Sequence, residues 1–428
     1  MQYTRKCGEL ASEDNDSKQS LSGWLQDVRN LGGIAFLTLR DRTGVAQITL
    51  LKKKVGDENF KSWTSISRES VISVEGTIKA NKEAPGGVEI LPDNLILVNE
   101  AKTPLPLGVI DKIDSEIETR LNARYMDLRK PEISAHFKVR AVISGAVHKQ
   151  LRLEGFLEIQ TPKIIASATE GGTGLFPVKY FDKEAYLTQS PQLYKQMAMG
   201  GGLEKVYEIG PAFRAEEHNT PRHLNEFTSI DIEQSFSDDN EVMGVMERVV
   251  ASAAEAVSAD IESLNDLQTP PIDVELPLPR ITYDEAIEMA NGLVEWGEDL
   301  SMEATRAISE KMDGFYFITK WPLQLKPFYI QQDDSDSKYS KGFDFMYKEV
   351  EMTSGGQRVH DVAILEERLR NQDLNPEDFE HYLSPFRYGM PPHAGWGLGL
   401  DRLAMIFSGA SNVRECVLWP RDRTRMTP

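Results

Sequence analysis

Arg214 and Arg402 sit in the two segments of this chain best suited to phosphate chemistry. Arg214 opens the run FRAEEHNTPRHLNEFTSIDIE, Phe213 to Glu233, where an arginine, several acids, two histidines and an aromatic follow one another. The run reads as strand, loop and strand: Asn219, Thr220 and Pro221 are turn formers, and alternation resumes from Phe227 to Phe236. Arg402 lies in GWGLGLDRLAMIF, Gly395 to Phe407, behind a glycine-rich strand and at the start of an apolar helix. Two guanidinium groups converging on one site, under a loop able to fold over a polyanion, suit a nucleoside triphosphate. In phosphoryl-group chemistry the catalyst mainly positions reactants and stabilises negative charge, tasks for arginine and a divalent cation. Taken singly, either arginine reads as a surface ion pair; the two segments together carry the argument.

A place for the cation comes from KGFDFMYKEVEMTSGGQRVH, residues 341–360. A two-residue turn at Tyr347 and Lys348 would set Asp344 opposite Glu351 on antiparallel strands. Like charges facing each other destabilise a hairpin unless something neutralises them. Magnesium, which takes a few carboxylates plus substrate oxygens and water, would do so. Tyr-Lys is a poor hairpin turn, so a solvated acidic hairpin stays open as the alternative. His218 and His223, without thiols or a third histidine, make a poor zinc cage. Lys195, in QSPQLYKQ, reads by itself as an exposed helix residue after a Ser190–Pro191 start. The triplet Gly200–Gly202 reads as a helix end, and GWGLG lacks the βαβ setting of a dinucleotide site.

The elements that must position these residues fall into two groups. Short strand signals at 21–28, 34–41, 45–52, 70–78 and 87–98, with a helical segment near 58–67, suggest a five-stranded barrel of the OB type, whose face binds single-stranded nucleic acid. Residues 1–103 form this domain, 104–130 read as a hinge, and 131–428 form the second domain. There, long helices over 131–153 and 240–257 alternate with strand signals at 156–161, 204–210, 226–234, 314–319, 343–354 and 394–398. The expected fold is α+β, with a mixed, mainly antiparallel sheet flanked by helices. Met243 and Met246 read as core filler, and Lys52–Lys54 as a solvated strand end.

Composition narrows the setting. The net charge is −19 over 428 residues, yet residues 1–100 hold 13 basic against 14 acidic side chains, so nearly all of the excess lies beyond them. Such acidity reads as a solvated face and leaves room for nucleic-acid binding through local patches. Two distant cysteines, Cys7 and Cys416, argue against a disulfide framework or structural zinc. Neither a signal peptide nor a run of 18 apolar residues is visible, so a cytoplasmic protein without a membrane anchor is expected.

With GFLEIQTP at 155–162, the two arginine segments resemble motifs 1, 2 and 3 of the class II aminoacyl-tRNA synthetases, and the likeness to the archaeal aspartyl branch of subclass IIb spans nearly the whole chain. The resemblance implies ATP as substrate and Mg2+ as cofactor. It places Arg214 on the α-phosphate, Arg402 on the γ-phosphate, Phe227 against adenine, Glu216 by the adenine amino group and His223 near the phosphates, with Arg222 and Glu351 also in the ATP site. Asp344, Glu351 and Ser354 would hold the metal. Lys195 and Arg358 would hold the β-carboxylate of aspartate, with Glu170, Ser190, Gln192, Asp231 and Ser354 around the rest of the amino acid, and residues 168–176 as a mobile loop. On the barrel it implies that Phe36 and Gln47 read the central anticodon base, with Arg29 and Glu89 near the others; a buried Phe36 is the ordinary alternative. Gln26 and Pro85 stand where relatives separate the aspartate tRNA from the asparagine tRNA, and this pair leans toward charging both, tRNA(Asp) and tRNA(Asn). Pro162 in motif 1 implies a homodimer. An asparaginyl enzyme, a synthetase-like binding protein without catalysis, and a synthetase-derived asparagine synthetase are the rivals. The aspartate of GLDR departs from the glutamate usual in archaeal relatives.

Overall fold

A computed structural model describes residues 3–110, 115–166, 174–217 and 220–428. The chain forms two compact units divided after Met126, inside the expected hinge, where Ile117–Asn122 and Arg124–Asp127 are short helices.

In the first unit β1 (Lys18–Asn30), β2 (Ile34–Asp41), β3 (Gly44–Leu51), β4 (Val71–Ala80) and β5 (Val88–Asn99) close into a barrel in the order β1-β2-β3-β5-β4. Alternation drives it: Leu21, Leu25, Leu37, Leu39, Ile48 and Val74 all point inward and are fully buried. The helix Asp57–Thr64 adds Phe60 and Trp63 to that core. Lys52–Val55 is a helical turn rather than a strand end, because Gly56, at φ 85°, redirects the chain into the following helix. At Gln26, β1 carries a bulge, with Leu25 paired to Leu39 and Asp27 to Thr38.

The second unit continues with β6 (Leu157–Glu158), then β7 (Ile164–Ile165), β8 (Pro177–Tyr180) and β9 (Lys183–Leu187), which form a small sheet of their own. Next come β10 (Lys205–Phe213), β11 (Glu226–Ser235), β12 (Arg280–Thr282), β13 (Phe315–Thr319), β14 (Gly342–Tyr347), β15 (Val350–Gln357) and β16 (His393–Gly399). The main sheet runs β12-β13-β14-β15-β16-β11-β10-β6, antiparallel except for its two outermost pairs. One face buries Ile230, Ile232, Phe343, Phe345 and Trp396 in a core shared with the helices Pro131–Leu153 and Asp239–Ala259. The latter starts where Asp238 and Glu241 cap each other's backbone N–H, and its Met243 and Met246 are core residues.

On the other face the register lines up two rows. Asp231, Gly397, Ser354 and Asp344 form one; Glu233, Gly395, Gly356 and Gly342 form the next. Four glycines in eight positions leave a hollow where a sheet would ordinarily carry side chains.

The β14–β15 hairpin departs from the expected register. Its turn is Lys348–Glu349, with Lys348 at φ 51°, and Asp344 lies opposite Ser354 while Glu351 lies opposite Met346. The turn one residue later than expected and a bulge at Met352 are the causes. One extra residue reverses the parity of β15, so Glu351 and Ser354, three apart, face the same side as Asp344. Among the described residues no helix is long and apolar enough to cross a membrane.

Candidate active site

Over the glycine rows lies a cavity of about 390 Å³, lined by residues of β11, β14, β15 and β16 and by the connection after β10. It brings together Ser190, Gln192, Arg214, Glu216, Arg222, His223, Phe227, Asp231, Asp344, Glu351, Ser354, Arg358 and Arg402, from segments more than 200 residues apart. Glu170 and His218 lie outside the described residues.

At one end sit the arginines. Arg402 Nη1 donates to the Glu351 carbonyl at 2.9 Å and its Nε to the Arg222 carbonyl at 3.4 Å, which fixes the guanidinium against the cavity. Burial lowers its pKa, as does the neighbouring charge of Arg214, while Glu351 opposes the shift. The mutual repulsion of the two cations is what an incoming polyanion would relieve. Arg214 lies over the Phe227 ring at 5.5 Å, and Arg222 pairs with Glu349 at 3.1 Å on the rim. Burial, with Arg402 adding to it, holds His223 below the usual imidazole range; Nδ1 meets Thr220 Oγ1 at 2.6 Å. Asp401, beside Arg402, also lines the cavity, and its carboxylate accepts from Arg140 Nε at 3.0 Å and from the Thr228 N–H at 2.8 Å, tying the Leu400–Phe407 helix to β11.

Next to them is the acidic group. Ser354 Oγ donates to Glu351 Oε1 at 3.2 Å, and Asp344 is buried. Burial and the nearby charge of Glu351 push the Asp344 carboxyl up, while Lys326 draws it down through contacts of 2.7 and 2.9 Å. Lys326, whose Nζ also lies 4.0 Å over the Trp321 ring, was not anticipated from sequence. Two carboxylates and a hydroxyl are oxygen donors of the kind magnesium takes. Among the described residues no three His, Cys, Asp or Glu side chains converge.

The far end is a buried charge network. Lys195, expected to look exposed, is only 2% accessible; Nζ donates to Asp231 Oδ1 at 2.9 Å and to the Trp396 carbonyl at 3.0 Å. Arg358 grips Glu233 through Nε at 3.0 Å and Nη2 at 3.3 Å. Behind them Gln196 donates to His393 Nε2 at 3.0 Å and accepts from Gln192 and Tyr382, while His393 Nδ1–H meets the Pro391 carbonyl at 2.8 Å. The sequence signal for Glu233, Gln196 and His393 was slight, because each looks like an ordinary polar residue of a strand or helix.

Burial holds His393 neutral, with its pKa lowered from 6.5 to about 4. Between those two values the unfolded chain binds a proton that the native protein refuses, so stability falls as pH drops from 6.5 to 4, by on the order of 3 kcal/mol. In urea titrations over this range the His393→Gln variant should show a flatter pH profile by about that amount. Parallel profiles would contradict the neutral imidazole.

On the barrel, register places Arg29, Phe36, Gln47 and Glu89 on one outward face: Arg29 pairs with Phe36, and Gln47 with both Thr38 and Glu89. Phe36 is half-buried and flanked by the inward Ala35 and Leu37, so it is not a core residue. Glu89 Oε2 accepts from Gln47, Thr49 and Asn81 at 3.0, 2.5 and 3.1 Å. Gln26, at the bulge, accepts from Arg40 at 3.1 Å, and Pro85 opens an exposed turn.

Residues 116–423 match the family described as tRNA synthetases class II (D, K and N), and residues 19–98 match the OB-fold nucleic acid binding domain. The chain belongs to the class II tRNA synthetases. Within them it is 50% identical to an aspartate–tRNA(Asp/Asn) ligase of Methanocaldococcus jannaschii, covering 99% of this chain and 98% of that one. It is 51% identical to one of Archaeoglobus fulgidus, over 98% and 99%. Among solved synthetases, asparaginyl-tRNA synthetase from Pyrococcus horikoshii complexed with asparaginyl-adenylate superposes with a TM-score of 0.93 at 34% identity over the whole of both chains. An aspartyl tRNA synthetase from Entamoeba histolytica gives 0.88 at 30%, over 100% and 93%. The fold likeness therefore spans both amino-acid specificities, and the synthetase's own pocket must choose between them.

Proposed function

We propose that this synthetase activates aspartate with ATP, forming aspartyl-adenylate, and transfers the aspartyl group to the 3′ end of tRNA(Asp) and of tRNA(Asn). One observation carries the choice of amino acid: two buried cations, Lys195 and Arg358, each already paired with a buried acid. Entry of aspartate permits an exchange of partners. Its ammonium group takes Asp231, and its β-carboxylate takes the released Lys195 together with Arg358. Asparagine would take Asp231 equally but offer Lys195 only a neutral amide, leaving a buried charge poorly matched. Ser190, Gln192 and Ser354 complete the wall, and Glu170 is assigned to it by family likeness alone.

A carboxylate attacking phosphorus is already ionised at neutral pH and needs no general base. Arg214 orients the α-phosphate, and Arg402 holds the triphosphate's far end as pyrophosphate departs. Phe227 offers a face for adenine, Glu216 an acceptor for its amino group, and Arg222 and His223 border the phosphates. Asp344, Glu351 and Ser354 would hold magnesium, which supplies further charge neutralisation at the phosphates when bound. A second copy of the chain covers the motif 1 region, where Leu153 and Leu157 are 71% and 51% exposed.

The full-length likeness to relatives named for both tRNAs, together with Gln26 and Pro85, supports the double tRNA specificity. ATP–pyrophosphate exchange tests the first step: aspartate should support it, with asparagine at least about 100-fold poorer. Transcripts ending their anticodons in C and in U should both accept aspartate; refusal of the second would restrict the enzyme to tRNA(Asp). Phe36→Ala should leave exchange unchanged but raise the tRNA KM roughly tenfold or more, the worth of one stacked base. Equal losses in both assays would remove the barrel from tRNA reading.

A further inference from the structure

Glu233 is fully buried, yet the reaction described above leaves it without a part. Burial opposes its ionisation, but Arg358 and then Lys195 overcome this and hold its pKa below the usual carboxylate range. Both cations that would face the amino acid's side chain are thus attached to one acid: Arg358 through two hydrogen bonds, and Lys195 at 3.6 Å. The neighbouring strand is shaped around this arrangement. A Cβ at Gly395, directly across from Glu233, would lie 2.2 Å from the Ile232 carbonyl oxygen and 2.3 Å from Glu233 Oε2, and one at Gly397, across from Asp231, 2.7 Å from Asp231 Oδ1. Each buried acid therefore lies over a glycine, which accounts for the spacing of GWG better than any dinucleotide role.

We propose that Glu233 is the positioning residue of the amino-acid site: through its two-pronged contact it fixes the Arg358 guanidinium, and beside it Lys195, in the orientation that receives a side-chain carboxylate. The inference rests on the aspartate reading of the same pocket. Nε and one Nη2 hydrogen of Arg358 are committed to Glu233, so Nη1 and the other Nη2 hydrogen form the edge left for substrate. Removing the charge of Glu233 has two opposed effects. It deepens the positive potential, which favours an anion, and it frees the guanidinium. Orientation governs, because an amide turns one of the two contacts into N–H against N–H, and the guanidinium, only 2% accessible, loses the partner that fixes it.

Steady-state exchange kinetics on the full-length Glu233→Gln protein, varying aspartate and ATP separately, test the proposal. The expected result is a KM for aspartate at least tenfold higher, with kcat and the KM for ATP within threefold of the parent. A purely structural role would move both KM values and kcat together, and that outcome overturns the proposal. So does an unchanged or lower KM for aspartate, which would mean that Glu233 acts only through its charge. If Glu233→Gln does not fold, Glu233→Asp decides: it keeps the charge but shortens the reach, so a threefold or greater rise in the aspartate KM supports positioning and an unchanged value overturns it. Failure of the parent protein to activate aspartate would remove the function and this inference together. Normal activation by the parent beside an unaltered Glu233→Gln variant removes the inference alone.

Discussion

Replacing Arg402 by alanine should abolish adenylate formation, with ATP–pyrophosphate exchange falling by roughly 10³-fold or more. The guanidinium is not a loose surface group: backbone carbonyls of Glu351 and Arg222 hold it, one from each wall of the cavity. Preorganised charge of this kind stabilises the transition state without reorganisation when the reaction occurs, which is why its loss falls on kcat. Arg402→Lys should recover little, since an ammonium cannot keep both carbonyl contacts and still present a flat donor edge to phosphate. Thermal stability should change little, because among the described residues the side chain's hydrogen bonds go to backbone carbonyls and no buried acid depends on it for an ion pair. Exchange at the parent rate in Arg402→Ala would defeat the assignment of the nucleotide end.

Lys195→Met should lower kcat/KM for aspartate about 10²- to 10³-fold, a loss of roughly 3–4 kcal/mol of transition-state stabilisation. The substitution preserves length and apolar volume but strands Asp231, which among the described residues would keep the Ser229 hydroxyl at 2.5 Å as its side-chain donor. It also removes the cation that would meet the β-carboxylate. Activity with asparagine, low at the outset, should fall far less, so the preference for aspartate should shrink. Exchange assays with both amino acids measure this directly. A change below threefold in kcat/KM for aspartate would show that Lys195 is a structural counter-ion and nothing more.

How much of this was legible beforehand varied with the kind of signal. Phase-two alternation in the first hundred residues marked the barrel strands and, once their register is known, the outward set of Arg29, Phe36, Gln47 and Glu89. Long amphipathic runs marked both major helices. The cavity's polar floor was less visible. In SIDIEQS, from Ser229 to Ser235, the isoleucines on alternate positions identify a core face, but alternation by itself does not say what covers the acids between them. Both acids are buried, because β16 brings glycines across from them and Lys195 and Arg358 close over the charges.

The hairpin error has the same origin. A turn at Tyr347 and Lys348 satisfies simple counting, but the turn one residue later and the bulge at Met352 are decided by how β15 must pair with β14 and β16 at once. Lys326 contacts Asp344 from a loop 18 residues away, a pairing that no local pattern encodes.

From the chain's own letters came the two domains, the periodicity of their elements, the convergence of Arg214 and Arg402 and the family. Those are matters of local pattern and of short ordered motifs, which a linear string preserves. Tertiary structure alone decided which charges are buried, which acid each cation holds and which strand residues share the cavity's face. Burial and pairing depend on strand register and on neighbours from distant segments, and a one-residue shift of register sends every side chain to the opposite side of the sheet.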